Sequence, residues 1–422
     1  VVTDPEFAPA MRGALAALGR EVLVVDIDDP EGPGGERLGS VGYEALLAEG
    51  DPAFAWPGPL DEWDSLALLY TSGTTGDPKG VVYHHRGAYL NALGNALAFR
   101  LAADSVYLWT LPMFHCNGWT YTWAVTAAGA THVCLRRVEP AAVFRAIRDH
   151  RVTHLCGAPI ELSMLIHAPD DAKLAFDNVV DVATGGAAPP SAVIEAMEAM
   201  GFRVTHLYGL TESYGPAMLC VPQDEWRGLA LADRARRMAR QGVAMPTLAG
   251  IRVADPDTGV PVPRDGATMG ELMLRGNTVM KGYLKNPRAT AKAFAHGWFA
   301  TGDLAVWHPD GYAEVRDRSK DIIITGGENV SSLEVEECLY RHPQVMEAAV
   351  VARPDERWGA TPCAFVTLKP GATGVGADEI VAWCRERLAH FKAPKSVVFG
   401  QRATARADQG GRRALRERAK DL

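Results

Sequence analysis

Short apolar runs recur along the first half of the chain, separated by stretches with helical spacing. Val22–Ile27, Leu66–Thr71, Val106–Thr110, Thr131–Leu135, His154–Gly157, Val179–Thr184 and Val204–Tyr208 read as strands. Between them Arg86–Leu101, Pro140–His150, Pro159–His167 and Pro190–Met200 read as helices. This alternation predicts an α/β architecture with largely parallel sheets, whose ligands gather beyond the strand C-termini. From about residue 246 the pattern changes to short strands broken by ADPDTG, PRDG and HPDG, which predicts a small β-rich subdomain ending near 317. After Arg318 the alternation resumes, with strands at Ala348–Ala352 and Ala364–Leu368 and a helix near Ala377–Leu388. The expected organisation is a large domain over 1–317 and a smaller α+β domain over 318–422.

One loop between two of these runs carries the strongest chemical signal. Residues 70–83 read YTSGTTGDPKGVVY. Gly73, Gly76 and Gly80 free the backbone to curl and turn its amides toward an anion. The hydroxyls of Thr71, Ser72, Thr74 and Thr75 add donors, and Lys79 adds a point charge. An ordinary polar turn would account for glycine and serine, but not for this run of six hydroxyl or glycine positions followed by lysine. Neither G-x-x-x-x-G-K-[ST] nor G-x-G-x-x-G is present, so this is a phosphate-handling loop of another kind, set at a sheet edge.

Composition narrows the classes. The 422 residues are 47% hydrophobic and 22% charged, which suits a globular protein of two or more domains. A net charge of −8 argues against a dominant nucleic-acid surface. No stretch approaches the run of about eighteen apolar residues that spans a membrane. Seven cysteines lie scattered without C-x-x-C pairs, as expected of reduced thiols in a cytoplasm. The chain starts on Val1 with no charged leader, so it is expected to begin inside a fold.

Three further segments place small and polar residues at strand ends. Gly185, Gly186 and Ala187 would let a flat ligand approach the backbone. YGLTESYG begins at Tyr208 and Gly209 and carries Thr211 and Glu212; a carboxylate beside phosphates needs a cation between them, so Glu212 is a candidate Mg²⁺ ligand. Asp303, in TGD, could accept both hydroxyls of a ribose. Together with the loop these describe an ATP pocket. The charged stretch from Arg316 to Asp321 suits a hinge, and Gly326-Gly327 after three isoleucines suggests a hairpin. LPMFHCNGWTYTW at 111–123 is either a packed core segment or the wall of an apolar acyl pocket, with His115 at its mouth and Trp119 inside.

YTSGTTGDPKG, YGLTES, TGD, DRSKDIIITGGENVSSLEVEE and HFKAPKS, in this order, resemble the signatures of the adenylate-forming superfamily of acyl-CoA synthetases, adenylation domains and luciferases. LWTLPMFHCNGWTYTW and LRRVEPAAVF look most like bacterial medium-chain and methylmercaptopropionate-type acyl-CoA synthetases. By that likeness about a hundred residues would precede Val1. The resemblance implies a two-step ligase using ATP, Mg²⁺ and coenzyme A on a small carboxylic acid. It implies that Thr71–Gly76 and Lys79 hold the β/γ-phosphates, Thr211 the α-phosphate region and Glu212 the metal. Gly185–Ala187, Tyr208 and Gly209 would border the adenine, while Asp303 and Arg318 grip the ribose. Lys320 would be the hinge, and Gly326, Gly327 and Glu328 the hairpin that enters for thioester formation.

The chain departs from the family at its end. Counting back from ALRERA at 414–419, Gln409 stands where the family's catalytic lysine is expected and Asp408 where a glycine precedes it. Gln cannot supply the positive charge that adenylation needs, so this step is expected to be impaired. Residues 402–413 are unlike the family while both flanks keep its register; genuine divergence and a compensated reading-frame error both explain this. Lys392 and Lys395 lie in the neighbouring FKAPKS. The alternatives are a non-catalytic nucleotide binder, a carrier-loading amino-acid adenylation domain, which would place an Asp where His115 stands, and a luciferase-type oxygenase. Oligomeric state, including a homo-oligomer, stays open.

Overall fold

In the computed structural model the described residues are all but 72–77, 187–188, 320, 373 and 401–408, together with the side chains of 409–411 and 413. They form two compact units, Val1–Leu60 and Asp61–Leu422. The first holds a three-stranded parallel sheet of Val2–Thr3, Val25–Asp26 and Val41–Gly42, with the helices Ala8–Leu18 and Tyr43–Ala48.

The second unit is built on a seven-stranded sheet ordered Val243–Ala244, Gly215–Leu219, Phe202–Leu210, Val180–Thr184, His154–Gly157, Val106–Trp109 and Thr131–Cys134. The last five strands are parallel, as the alternation predicts, and Gly215–Leu219 runs antiparallel to both of its neighbours. One core packs Tyr107, Tyr121, Ala183 and Leu207 on one side; another packs Leu108, Phe144, Leu155 and Val182 on the other. Strands covered on both faces have no polar side to show, which is why His154–Gly157 is buried at every position.

Three smaller sheets surround this one. Ser65–Thr71 and Lys79–His84 form an antiparallel hairpin, extended by Gly282–Tyr283, so the phosphate-loop candidate joins two strands at a sheet edge. Gly250–Ala254, Met269–Arg275, Phe299–Trp307 and Ala313–Arg318 form the expected β-rich layer. Ile323–Thr325 and Glu328–Val330 form the expected hairpin, inside a five-stranded sheet with Val345–Asp355, Gly359–Leu368 and Ser396–Phe399. The helices Ser332–Tyr340 and Ala377–Arg387 cover one face of that sheet, where Val335, Leu339, Ile380 and Cys384 are buried. On another part of it Leu415 and Ala419, from the helix Gln409–Lys420, pack against Val351 and Phe365.

Candidate functional site

The strand Phe202–Leu210 carries Tyr208 and ends in a 3-10 turn over Thr211–Ser213. Two tyrosines from distant segments, with Tyr214 next to it in the chain, hold this turn. Tyr83 donates from its hydroxyl to the Thr211 carbonyl at 2.6 Å, and its ring stacks on Tyr214 with centroids 3.7 Å apart. Tyr283 donates to Glu212 Oε1 at 2.8 Å, and the Lys79 ammonium lies 4.9 Å from the centre of the Tyr283 ring. Thr71 and Lys79 are register partners across the hairpin, so the ends of the candidate phosphate loop are fixed by the sheet. Ser72, Gly73, Thr74, Thr75 and Gly76 lie outside the described residues. Burial pushes Tyr83 and Tyr283 well above the usual phenol range, with the Glu212 carboxylate adding to it, so both stay neutral donors.

Asp303 sits within the strand Phe299–Trp307, only 4% exposed. Tyr208 donates to its Oδ2 at 2.6 Å, and Arg318, its register partner on the next strand, places Nε 3.3 Å from Oδ1. Burial first, then the negative charge of Asp303, keeps the Tyr208 phenol protonated. Three of the predicted ligand-bordering residues therefore form one bonded group. Gly302, at φ +79° with open space where a Cβ would stand, donates its backbone N–H to Glu271 Oε1 at 2.7 Å.

The candidate acyl-wall segment contains a turn that was not legible in the sequence. Residues 116–120 all have positive φ, between 47° and 68°. A left-handed turn costs roughly 1–2 kcal/mol per L-residue, so something must hold it. Two fully buried asparagines on the helix His85–Ala98 do so. Asn91 Nδ2 donates to Thr120 Oγ1 at 3.0 Å and to the Tyr214 carbonyl at 2.7 Å; Asn95 Nδ2 donates to the Trp119 carbonyl at 3.1 Å. The turn buries Trp119 and leaves His115 exposed at its start. The Trp119 ring lies 3.2 Å from where a Cβ on Gly185 would stand and 3.7 Å from one on Gly186. A Cβ on Gly185 would also come within 2.6 Å of the Leu207 carbonyl oxygen, so close packing with the neighbouring strand already demands glycine there. Gly209 is equally confined: a Cβ would meet the Gly215 carbonyl oxygen at 1.9 Å. Cys116 Sγ stands 3.7 Å from Thr211 Oγ1, and burial pushes this thiol up to about 12. It is not a nucleophile at neutral pH.

Gly326 and Gly327 take φ of +60° and +87° at the hairpin tip, with Trp358 against Gly326 and Glu328 exposed beside them. Ala187 and Lys320 lie outside the described residues, as does the side chain of Gln409. Lys392 is held by both oxygens of Glu334 at 2.7 Å, which leaves it a poor stand-in for a missing lysine. Among the described residues no group of three or more His, Cys, Asp or Glu could hold a metal. Magnesium takes most of its ligands from phosphates and water and needs only one or two protein carboxylates, a demand that Glu212, oriented by Tyr283, fits. No helix among the described residues is long and apolar enough to cross a membrane.

A family model described as AMP-binding enzyme matches residues 2–284, and one described as AMP-binding enzyme C-terminal domain matches 334–405. An acetate–CoA ligase of Humulus lupulus is 49% identical over 439 residues, covering 100% of this chain and 77% of that protein. A peroxisomal acetate/butyrate–CoA ligase of Arabidopsis thaliana is 51% identical, covering 91% and 68%. Among solved structures, ATP-bound MatB of Rhodopseudomonas palustris is 29% identical with a TM-score of 0.81, covering 100% of this chain and 79% of that one. O-succinylbenzoate CoA synthetase of Bacillus subtilis, solved with its acyl-adenylate, is 27% identical with a TM-score of 0.77, covering 98% and 81%.

Proposed function

Because the chain belongs to the family of AMP-binding enzymes, as an ATP-dependent acid–thiol ligase, we propose that it activates a short-chain carboxylic acid through an acyl-adenylate to the acyl-CoA. A carboxylate oxygen attacks the α-phosphorus of ATP and pyrophosphate leaves. The coenzyme A sulfur then attacks the acyl carbon, AMP leaves, and the thiol proton passes to solvent. The observation that carries this reading is the line from Lys79 over Tyr283 to Glu212, beside the Tyr208–Asp303–Arg318 group.

In this scheme Thr71–Gly76 and Lys79 take the β/γ-phosphates and Thr211 the α-phosphate region. Glu212 would hold Mg²⁺, which when bound neutralises charge on the phosphate oxygens. Asp303 accepts the ribose hydroxyls while Tyr208 and Arg318 fix its carboxylate, and Gly185–Ala187 with Gly209 border the adenine. Lys320 serves as hinge between 1–317 and 318–422, and Gly326–Glu328 serve the thioester step. Trp119 closes the acyl pocket against Gly185 and Gly186, with His115 at its mouth. That short floor, and relatives named for acetate, butyrate and 2-methylpropanoate, support a short acid.

The position of Gln409 adds that adenylation is slow in this chain, while acyl transfer from supplied acyl-AMP to coenzyme A persists. Pyrophosphate release over a panel of acids, and thioester formation from acyl-AMP, separate the two halves. Full-speed pyrophosphate release refutes the impairment. Gln409→Lys alone should restore pyrophosphate release only in part, since Asp408 remains, and complete rescue by that one change contradicts this second expectation. Gln409 also favours a second reading, a nucleotide binder without turnover, which ATP binding with neither half-reaction would establish. A cytoplasmic location is part of the proposal: all seven cysteines are free thiols, although three relatives are named as peroxisomal.

A further inference from the structure

The helix Ser191–Ala199 follows the Gly185–Gly186 strand end directly in sequence, and it starts without a cap of its own. Its N-cap residue is Pro190, whose ring has no oxygen to offer the first amides. The missing acceptor comes from another part of the fold. Glu337, on the helix Ser332–Tyr340, accepts from the Ser191 amide through Oε2 at 2.9 Å and from the Ser191 hydroxyl through Oε1. Arg341 then bridges the two helices, with Nη1 3.1 Å from Glu195 Oε2, Nε 3.4 Å from Glu337 Oε1, and Nη2 donating to the Ser191 hydroxyl.

We propose that Glu337 is a positioning residue for the strand end at Gly185 and Gly186, capping the helix that follows it from the smaller sheet's side. Thr184 is held between Gly157 and His206 in the sheet, and Ser191, 1% exposed, is held by Glu337. A partly exposed ion pair alone would contribute little. Here a carboxylate meets a buried backbone amide at the positive end of a helix dipole, where capping acts most strongly. Glu337 does not touch the proposed adenine border; it acts through Ser191 on residues that do. The inference rests on the proposed nucleotide reading of Gly185–Ala187.

Peptide-resolved hydrogen exchange over 186–196 and calorimetric AMP binding test it on the full chain. Glu337→Ala should speed exchange of the first-turn amides and weaken AMP binding by about fivefold, the share of one lost helix cap. Glu337→Gln, which keeps an acceptor but loses the charge, should fall between. Pro190→Asp in the Glu337→Ala background gives the helix a cap of its own and should restore both readouts. Unchanged exchange, faster exchange with unchanged AMP affinity, or no rescue by Pro190→Asp each overturns the proposal. Failure of the unsubstituted chain to bind AMP would refute the nucleotide reading instead, while the exchange arm still decides the cap.

Discussion

Replacing Glu336 with Gln should make the chain relatively more stable as pH rises, although Glu336 is bonded to an arginine. Arg412 Nη2 reaches both Glu336 oxygens, at 2.8 and 2.9 Å, and the Val350 amide donates to Oε1 at 2.8 Å. Asp317 and Asp321 are buried nearby, and Arg416 pairs with Asp321. Three carboxyls thus face two guanidiniums, leaving one negative charge too many in a dry region. Burial pushes Glu336 up from 4.5 to about 7, against the pull of Arg412, and raises Asp317 as well. The folded state therefore holds the Glu336 proton more tightly than the unfolded chain. Its contribution is full below pH 4.5 and is lost as pH rises through about 7. At 1.36 kcal/mol per pKa unit the swing between pH 5 and pH 8 is on the order of 2–3 kcal/mol. His206, lowered to about 4 by burial, acts in the opposite sense over part of this range, but equally in both proteins. Urea unfolding of wild type and Glu336→Gln at pH 5 and pH 8 isolates the effect, because any fixed cost of the amide cancels. A stability difference that does not change with pH, or that moves against Gln at pH 8, refutes the argument.

Asp303→Asn should weaken ATP binding about ten- to a hundredfold, the worth of a charged hydrogen bond to the ribose, measured by calorimetry. Gly185→Ala should lower thermal stability by about 1–3 kcal/mol, because the new methyl has only the rigid Leu207 carbonyl and the Trp119 ring to displace. Trp119→Leu should raise kcat/KM for hexanoate relative to butyrate; an unchanged ratio would remove Trp119 from the acyl wall.

The parts of this fold that read well from sequence are those where one local pattern decides the structure. His154–Gly157 and most of Val180–Thr184 are buried because both faces are covered, and Gly326-Gly327 bends a hairpin because few other residues take its φ. The candidate site was legible as separate polar segments, and Asp303 and Arg318 do meet across two strands. What escaped was the support between segments. Tyr83 and Tyr283 look like ordinary strand residues until tertiary packing brings them to Thr211 and Glu212. The left-handed run at 116–120 was equally hidden. Only Asn117 and Gly118 favour that conformation locally, and its restraints are amides some twenty to thirty positions upstream.

That dependence limits how the proposed acyl wall could be transplanted. A graft of residues 111–123 into a related scaffold would carry the sequence of the turn but not its restraints, which belong to Asn91, Asn95 and the carbonyl of Tyr214. Without these partners the five residues would relax toward right-handed backbone, and Trp119 would leave the glycines it covers. The portable unit of the proposed wall is therefore the turn together with one face of a helix and the residue after the Thr211–Ser213 turn, three pieces that must travel as a set.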